Sequence, residues 1–257
     1  MLKEERQALI LELIRQQQTV SVSELKTRFQ VSDETIRRDL SAMEKQKLLR
    51  CVHGGAVYDS PTTNEYHVDT RIRKFRREKE AICQAAAELV SDGESLVINS
   101  ATTTLPLGPL LARKQNLTVV TNCVRLAGMI ASNSSHQVYL SGGKYNPDSQ
   151  SMLGGHTVLG LQEFRVDKAF LSVAGVTIND GVTEYTEREL LTVRSAMDIA
   201  RKVYLLCDSS KFSTVALMRV CDLSRIYGIV ADWKLTGRMQ EAFEERGIRV
   251  IRALREG

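Results

Sequence analysis

The chain has 257 residues, is 43% apolar and carries a formal net charge of +4. That is enough apolar content for a sizeable core, which excludes wholesale disorder. The charge alone is too small to signal a nucleic-acid partner. Five cysteines at 51, 83, 123, 207 and 221 form no CxxC pair, which argues against a disulfide framework and a zinc ribbon. They read as scattered reduced thiols. His53, His67, His136 and His156 stand apart from one another and from the cysteines, so no metal site is expected. No apolar run approaches the roughly 20 residues that span a membrane. The opening "MLKEERQALILELI" alternates charged with apolar residues and reads as a helix, not a signal peptide. A soluble cytoplasmic protein is expected.

In chain order, "KEERQALILELIRQQ" spaces Leu9, Ile10, Leu13 and Ile14 as one face of a helix. Ser21 can cap a second short helix burying Val22, Leu25 and Phe29. "QVS" makes a turn, and a third helix starts at Ser32. This is the helix-turn-helix plan. Two short β-compatible runs then flank His53-Gly54-Gly55, a hairpin suited to a wing. On a wheel of about 100° per residue, Ile36, Leu40 and Met43 share the core side of the third helix. Glu34, Arg38, Ser41 and Lys45 point the other way, and Thr35 and Arg37 flank them. That division suits a recognition helix in the major groove. An arginine fork can bind two guanine acceptors or clamp a phosphate. The wheel favours Arg38 for a base and Arg37 for the phosphate backbone. The plainer alternative is a solvated helix in which Glu34 and Arg38 pair at i,i+4.

"YDSPTTNEYHVDT" (58–70) is polar and aperiodic and reads as a linker. "RIRKFRREK" (71–79) holds six of the sixteen basic residues among the first eighty. It suits DNA flanks, a solvated face or an interdomain contact, and charge alone does not decide. It leads into a helix with Ile82, Ala85, Ala86 and Leu89 on one side.

From Ser95 onward, strand-like runs ("SLVIN", "LTVVT", "QVYLSGG", "KAFLSVAG", "KVYLLC", "RIYGIVAD", "IRVIRAL") alternate with helical ones. An α/β fold with a parallel sheet is expected. "KYNPDSQSMLGG" and the segment after "KAFLSVAG" read as loops. In such sheets ligands sit beyond the carboxyl ends of the strands. Those ends carry Asn99 to Thr104, Thr121-Asn122, Ser141-Gly142-Gly143, Ala174-Gly175 and Asp208 to Lys211. Small hydroxylated residues and glycines let main-chain N–H groups approach an anion, so a phosphate or polyol site is expected.

Residues 3 to 58 resemble the DNA-binding domain of the DeoR family of bacterial transcription regulators, on "RQALILELI", "VSVSELKTRFQVSDETIRRDLSAMEKQKLLR" and "HGGAV". The resemblance implies Ser32, Thr35, Arg37 and Arg38 at the DNA, with Arg50 and His53 near the wing. Gln18 and Lys47 stand where the family commonly has glycine. Residues 75–232 resemble the family's effector domain, similar in fold to ribose-5-phosphate isomerase, most specifically on "DKAFLSVAGV", "DGVTE" and "DSSKF". This implies a phosphorylated sugar or sugar derivative as effector. Ser100, Thr102, Thr103 and Thr104 would hold its phosphate. Thr121, Asn122, Gly142, Gly143, Gly175, Glu184 and Lys211 would surround the sugar. Ala101 stands where glycine is frequent.

The domains expected are a winged helix at 1–58, a linker at 59–74 and an effector domain at 75–257. The function expected is a sequence-specific repressor of a carbohydrate operon. It would act on double-stranded DNA as a homo-oligomer, dimer or tetramer, with no cofactor. An active sugar-phosphate isomerase would need an acid/base group. Glu184, Glu187 and Lys211 are available, but Glu187 also suits a helix's first turn. A nicotinamide enzyme is disfavoured because no G-x-G-x-x-G opens a helix after a strand.

Overall fold

The computed structural model describes residues 3–17, 19–46, 48–52, 54–57, 72, 74–147 and 149–255. Its contacts divide the chain into two units, Met1–Asn64 and Glu65–Gly257.

In the first unit, α1 (Lys3–Gln17), α2 (Val22–Phe29) and α3 (Asp33–Lys45) follow the expected order. Ser21 accepts a hydrogen bond from Glu24 N, and Ser32 accepts one from Thr35 N. Each thereby satisfies a donor the helix leaves free at its start. Gln30, in the left-handed region at φ 52°, ends α2 and turns the chain. Ile10, Leu13, Ile14, Leu25, Ile36, Leu40 and Met43 form the core of this unit. Leu9, expected on the same face, is 44% exposed, since it lies about 100° from Ile10 at the edge of the stripe, and Phe29 is only partly buried.

The wing is larger than its hairpin. β1 (Thr19–Ser21) pairs with β3 (Gly55–Val57), which pairs with β2 (Arg50–Val52). The sequence assigned no strand to 19–21, because three residues show no alternation. Gly55 is required at the crossing: a Cβ there would collide with the Val20 carbonyl.

The second unit opens with α4 (Arg76–Ala87). Seven strands then form one parallel sheet: β4 (Ser95–Ile98), β5 (Thr118–Thr121), β6 (Gln137–Leu140), β9 (Val166–Leu171), β12 (Ala200–Cys207), β14 (Gly228–Ala231) and β15 (Arg249–Arg252). Their order across the sheet is β15-β14-β12-β9-β4-β5-β6. The chain moves outward from β4 to β6, returns to the other side of β4 with β9, and moves outward again. The topological switch therefore lies between β4 and β9, where ligands enter such sheets.

Both faces of the sheet are covered. On one side Val97, Val120, Ala169, Leu171, Leu205 and Ile229 pack with α7 (Gly155–Gln162), α8 (Glu187–Asp198) and α9 (Gly237–Glu244). On the other, Leu96, Ile98, Val119, Phe170, Leu206 and Val230 pack with α4, α5 (Leu107–Leu111) and α6 (Val124–Ile130). Two-sided burial explains why β4, β5, β9, β12 and β14 read as apolar runs, whereas the edge strand β6 stays largely exposed.

Two segments expected to be loops contain strands. Within 144–155, β7 (Lys144–Asn146) pairs with β8 (Ser151–Leu153). After β9, β10 (Gly175–Thr177) pairs with β11 (Gly181–Glu184), which pairs with β13 (Met218–Cys221). Their partners lie outside their own short runs, so local pattern does not reveal them. Among the described residues, no helix is long and apolar enough to cross a membrane.

Candidate DNA interface and effector site

On α3, Glu34, Arg37, Arg38 and Ser41 are exposed, as the wheel predicts, while Thr35 is half-buried. Ser32 and Thr35 share a hydroxyl–hydroxyl bond of 2.9 Å, so the cap and its neighbour form one unit. Arg38 Nη2 donates to Glu34 Oε1 at 2.8 Å. Arg37 makes no hydrogen bond or ion pair among the described residues. Asp33 pairs with Lys26 of α2 at 2.9 Å. The hydrogen bond and charge of Lys26 hold the Asp33 carboxyl below its ordinary range. The two acids of the first turn are thus each neutralised by a base, while Arg37 and Lys45 are exposed cations of α3 with no hydrogen bond or ion pair among the described residues. At the wing, Val22 N donates to the Gly54 carbonyl at 2.9 Å, tying the tip to the start of α2. His53, Gln18, Lys47 and the side chain of Arg50 lie outside the described residues.

One charged residue of this helix faces inward. Asp39 is 2% exposed and takes Arg6 Nε of α1 at 2.6 Å. It belongs to the scaffold that carries the outer face.

In the second unit, the carboxyl ends of β4, β5 and β9 are stitched by two asparagines. Asn99 donates to the Ser172 carbonyl at 2.8 Å and accepts from Ser172 N at 3.0 Å. It extends the β4–β9 pairing across the switch point. Asn122 accepts from Ser100 N at 2.7 Å and donates to the Met152 carbonyl at 3.0 Å. Ser100 Oγ donates to the Ser149 carbonyl at 3.3 Å. Ser100 and Asn122 are therefore committed to the β7–β8 hairpin.

The next turn is differently furnished. No described acceptor takes the main-chain N–H of Ala101, Thr102, Thr103 or Thr104. Thr104 Oγ1 bonds back to the Asn99 and Ala101 carbonyls at 2.8 and 3.0 Å, which fixes the turn. Lys79 of α4 is 5% exposed, and its ammonium donates to Thr102 Oγ1 at 3.0 Å. A buried ammonium beside a row of open N–H groups is an anion-binding arrangement. The sequence placed Asn99 among the strand-end residues without a role of its own, and it did not single out Lys79. The signal for Lys79 was its place on the 79, 82, 83, 86 stripe of α4, otherwise apolar.

The remaining expected residues divide. Thr121 is fully buried, with its hydroxyl on the Ile98 carbonyl at 2.7 Å, inside the sheet. Gly142 and Gly143 have φ of 72° and 112°, a left-handed turn at the end of β6. A Cβ on Gly143 would strike Thr157, and one on Gly175 would strike the Thr214 carbonyl. Close packing within the protein therefore accounts for both. Glu184 is buried on β11 and accepts from Tyr185 N at 3.3 Å. Lys211 is half-buried, with no partner for its ammonium among the described residues. Asp208 caps its own turn through Ser210, and Asp232 takes Ser209 N at 2.6 Å, so neighbouring N–H groups occupy these carboxylates.

Comparison with known proteins agrees with this division of labour. Residues 6–62 match the DeoR-like helix-turn-helix domain, and residues 74–233 match the DeoR C-terminal sensor domain. The chain is 31% identical to the glycerol-3-phosphate regulon repressor of Escherichia coli K12, over 87% of this chain and 88% of that one. It is 30% identical to the transcriptional repressor AccR of Agrobacterium fabrum, over 89% of each. It is 26% identical to the repressor GlcR of Bacillus subtilis, over 98% and 96%. A solved ribose 5-phosphate isomerase A from Neisseria gonorrhoeae aligns with a TM-score of 0.39, at 15% identity over 54% of this chain and 53% of that one. With a DNA-reading winged helix at its front and a sensor domain on a parallel sheet behind it, the chain belongs to the DeoR family of DNA-binding transcription regulators.

Proposed function

We propose that this regulator is a repressor of a carbohydrate operon, released from its operator by a phosphorylated sugar or sugar derivative. The observation that carries the reading is Lys79: an ammonium 5% exposed, set on Thr102 beside the open N–H groups of residues 101–104. A dianionic phosphate suits that donor set, since it brings several acceptor oxygens and a charge that a buried lysine complements. Lys211 offers a second cation. The similarity to a glycerol-3-phosphate regulon repressor supports the class of effector.

In this reading, residues 1–58 bind DNA, 59–74 join the units and 75–257 bind the effector. The protein acts as a homo-oligomer, dimer or tetramer, because repeated operator half-sites need at least two recognition helices. The effector must prefer one arrangement of the oligomer energetically to release DNA.

The test is a thermal-shift screen of phosphorylated sugars against their unphosphorylated parents. A ligand that binds only the folded state raises the melting temperature by mass action. A hit should also weaken binding to DNA from the protein's own regulated promoter. Stabilisation by a free sugar and its phosphate alike would refute the phosphate reading.

A further inference from the structure

The first turn of α4 is held in an unusual way. Phe75 precedes it in the left-handed region, at φ 58°, and supplies no side-chain cap. A bulky residue there is a genuine outlier that its surroundings must enforce. The Lys234 ammonium lies 5.8 Å from the centre of the Phe75 ring and 2.5 Å from Glu78 Oε1. Lys74 lies 5.3 Å from the same ring. The Phe75 carbonyl accepts from Lys79 N at 3.0 Å, closing the turn.

Lys234 is itself fixed at the carboxyl end of β14. Its N–H donates to Asp232 Oδ1 at 2.7 Å, and the other oxygen of this fully buried carboxylate takes Ser209 N. Glu78 and Lys79 are consecutive, so they diverge by about 100° on the helix. Glu78 reaches the loop after β14, and Lys79 reaches the loop after β4. In the sheet order these strands are separated by β12 and β9. One helical turn therefore bridges two sets of strand-end loops, in the segment through which the chain arrives from the DNA-binding unit.

We propose that Lys234 and Glu78 are positioning residues that latch the first turn of α4, so that Lys79 is presented to the effector's anion and ligand binding bears on the chain entering α4. The proposal rests on the effector reading above. Without the latch, the turn must be ordered at the moment of binding, which weakens affinity. Lys234 touches no ligand in this scheme; it acts through α4.

The experiment uses the full chain with Lys234→Met, Lys234→Arg and Glu78→Gln. Lys234 is half exposed at the surface, so the substitution leaves the core intact. Backbone hydrogen exchange without ligand is read across residues 76–82. Lys234→Met is expected to speed it at least tenfold there while leaving β4 and β12 unchanged, and Glu78→Gln is expected to act in the same direction. Calorimetry with glycerol 3-phosphate, glucose 6-phosphate, fructose 6-phosphate and inorganic phosphate is expected to show at least tenfold weaker binding for Lys234→Met. Lys234→Arg is expected to restore both readouts. Unchanged exchange in α4, unchanged affinity, or failure of arginine to rescue would each overturn the latch. If the wild type binds none of these phosphates, the effector reading fails, and the exchange measurement alone decides whether the latch exists.

Discussion

Arg6 of α1 donates through Nε to Asp39 Oδ2 of α3 at 2.6 Å, with both side chains under 10% exposed. Gln7 Nε2 donates to the other carboxylate oxygen at 3.1 Å. The aspartate of the "IRRDL" segment thus fastens α1 to the recognition helix, and the two arginines beside it stay outside. Asp39→Ala strands the Arg6 charge and is expected to cost about 3–5 kcal/mol of stability in the winged-helix unit. Urea unfolding of the full chain, followed by amide exchange in residues 3–45, measures it. The double variant Arg6→Met, Asp39→Leu is expected to recover most of that loss. Equal losses in the single and double variants would sink the buried-pair account.

The two exposed arginines are expected to behave differently. Arg37 is free of ion pairs among the described residues. Arg37→Ala should weaken all DNA sequences about equally and lower the slope of log affinity against log salt by about 1. Arg38 must first leave Glu34, an exposed i,i+4 pair worth only a few tenths of a kcal/mol. Arg38→Ala should cost about 1–3 kcal/mol and relax preference at one base pair. A randomised-site selection with each variant separates the two outcomes. Identical preference profiles for Arg38→Ala and the wild type would remove it from base recognition.

Asn99 replaces a strand residue at the switch point. Asn99→Leu leaves Ser172 N–H and C=O without their partner in a buried setting. The expected loss is about 1–3 kcal/mol for each unsatisfied group, with the effector loop losing its fixed geometry. Chemical denaturation checks the first consequence, and effector calorimetry checks the second. A fully stable variant would show that water replaces the amide.

Glu78 gives a pH dependence with a definite sign. Burial pushes its carboxyl upward, but the Lys234 hydrogen bond, its own main-chain bond and nearby positive charge hold it below the usual glutamate range. A lowered folded value means stability that is fully present above the ordinary pKa of about 4.3. That stability is lost as the pH falls through the folded value. The stability gap between wild type and Glu78→Gln is therefore expected to be open near neutral pH and to close in acid below that range. A gap that widens in acid would contradict the pairing.

Much of this was legible in the residues. The caps at Ser21 and Ser32, most of the apolar faces of α1 to α3 (Leu9 and Phe29 excepted) and the seven runs that became the parallel sheet are local signals. The short strands β1, β7, β8, β10 and β11 were not legible, because each is defined by a partner outside its own run. Asp39 and Lys79 show a second reason. Each occupies a place on an i, i+3, i+4, i+7 stripe: Ile36, Asp39, Leu40, Met43, and Lys79, Ile82, Cys83, Ala86. Classing residues by polarity puts such charges outside. Periodicity puts them inside, where they must be paired.

By itself, then, the sequence determined the three helices of the first unit, the seven strands of the parallel sheet, most of the faces they bury and the exposure of Arg37 and Arg38 on α3. Those properties follow from spacing along a single chain segment. Only the tertiary structure decided that Arg6 meets Asp39, that Asn99 closes the gap to Ser172, and that Lys79 and Lys234 converge on one turn of α4. The last of these, Glu78 with Lys234, joins residues 156 positions apart. Such pairs depend on where the chain returns in space; for Arg6 and Asp39 the burial of both partners makes each charge require the other.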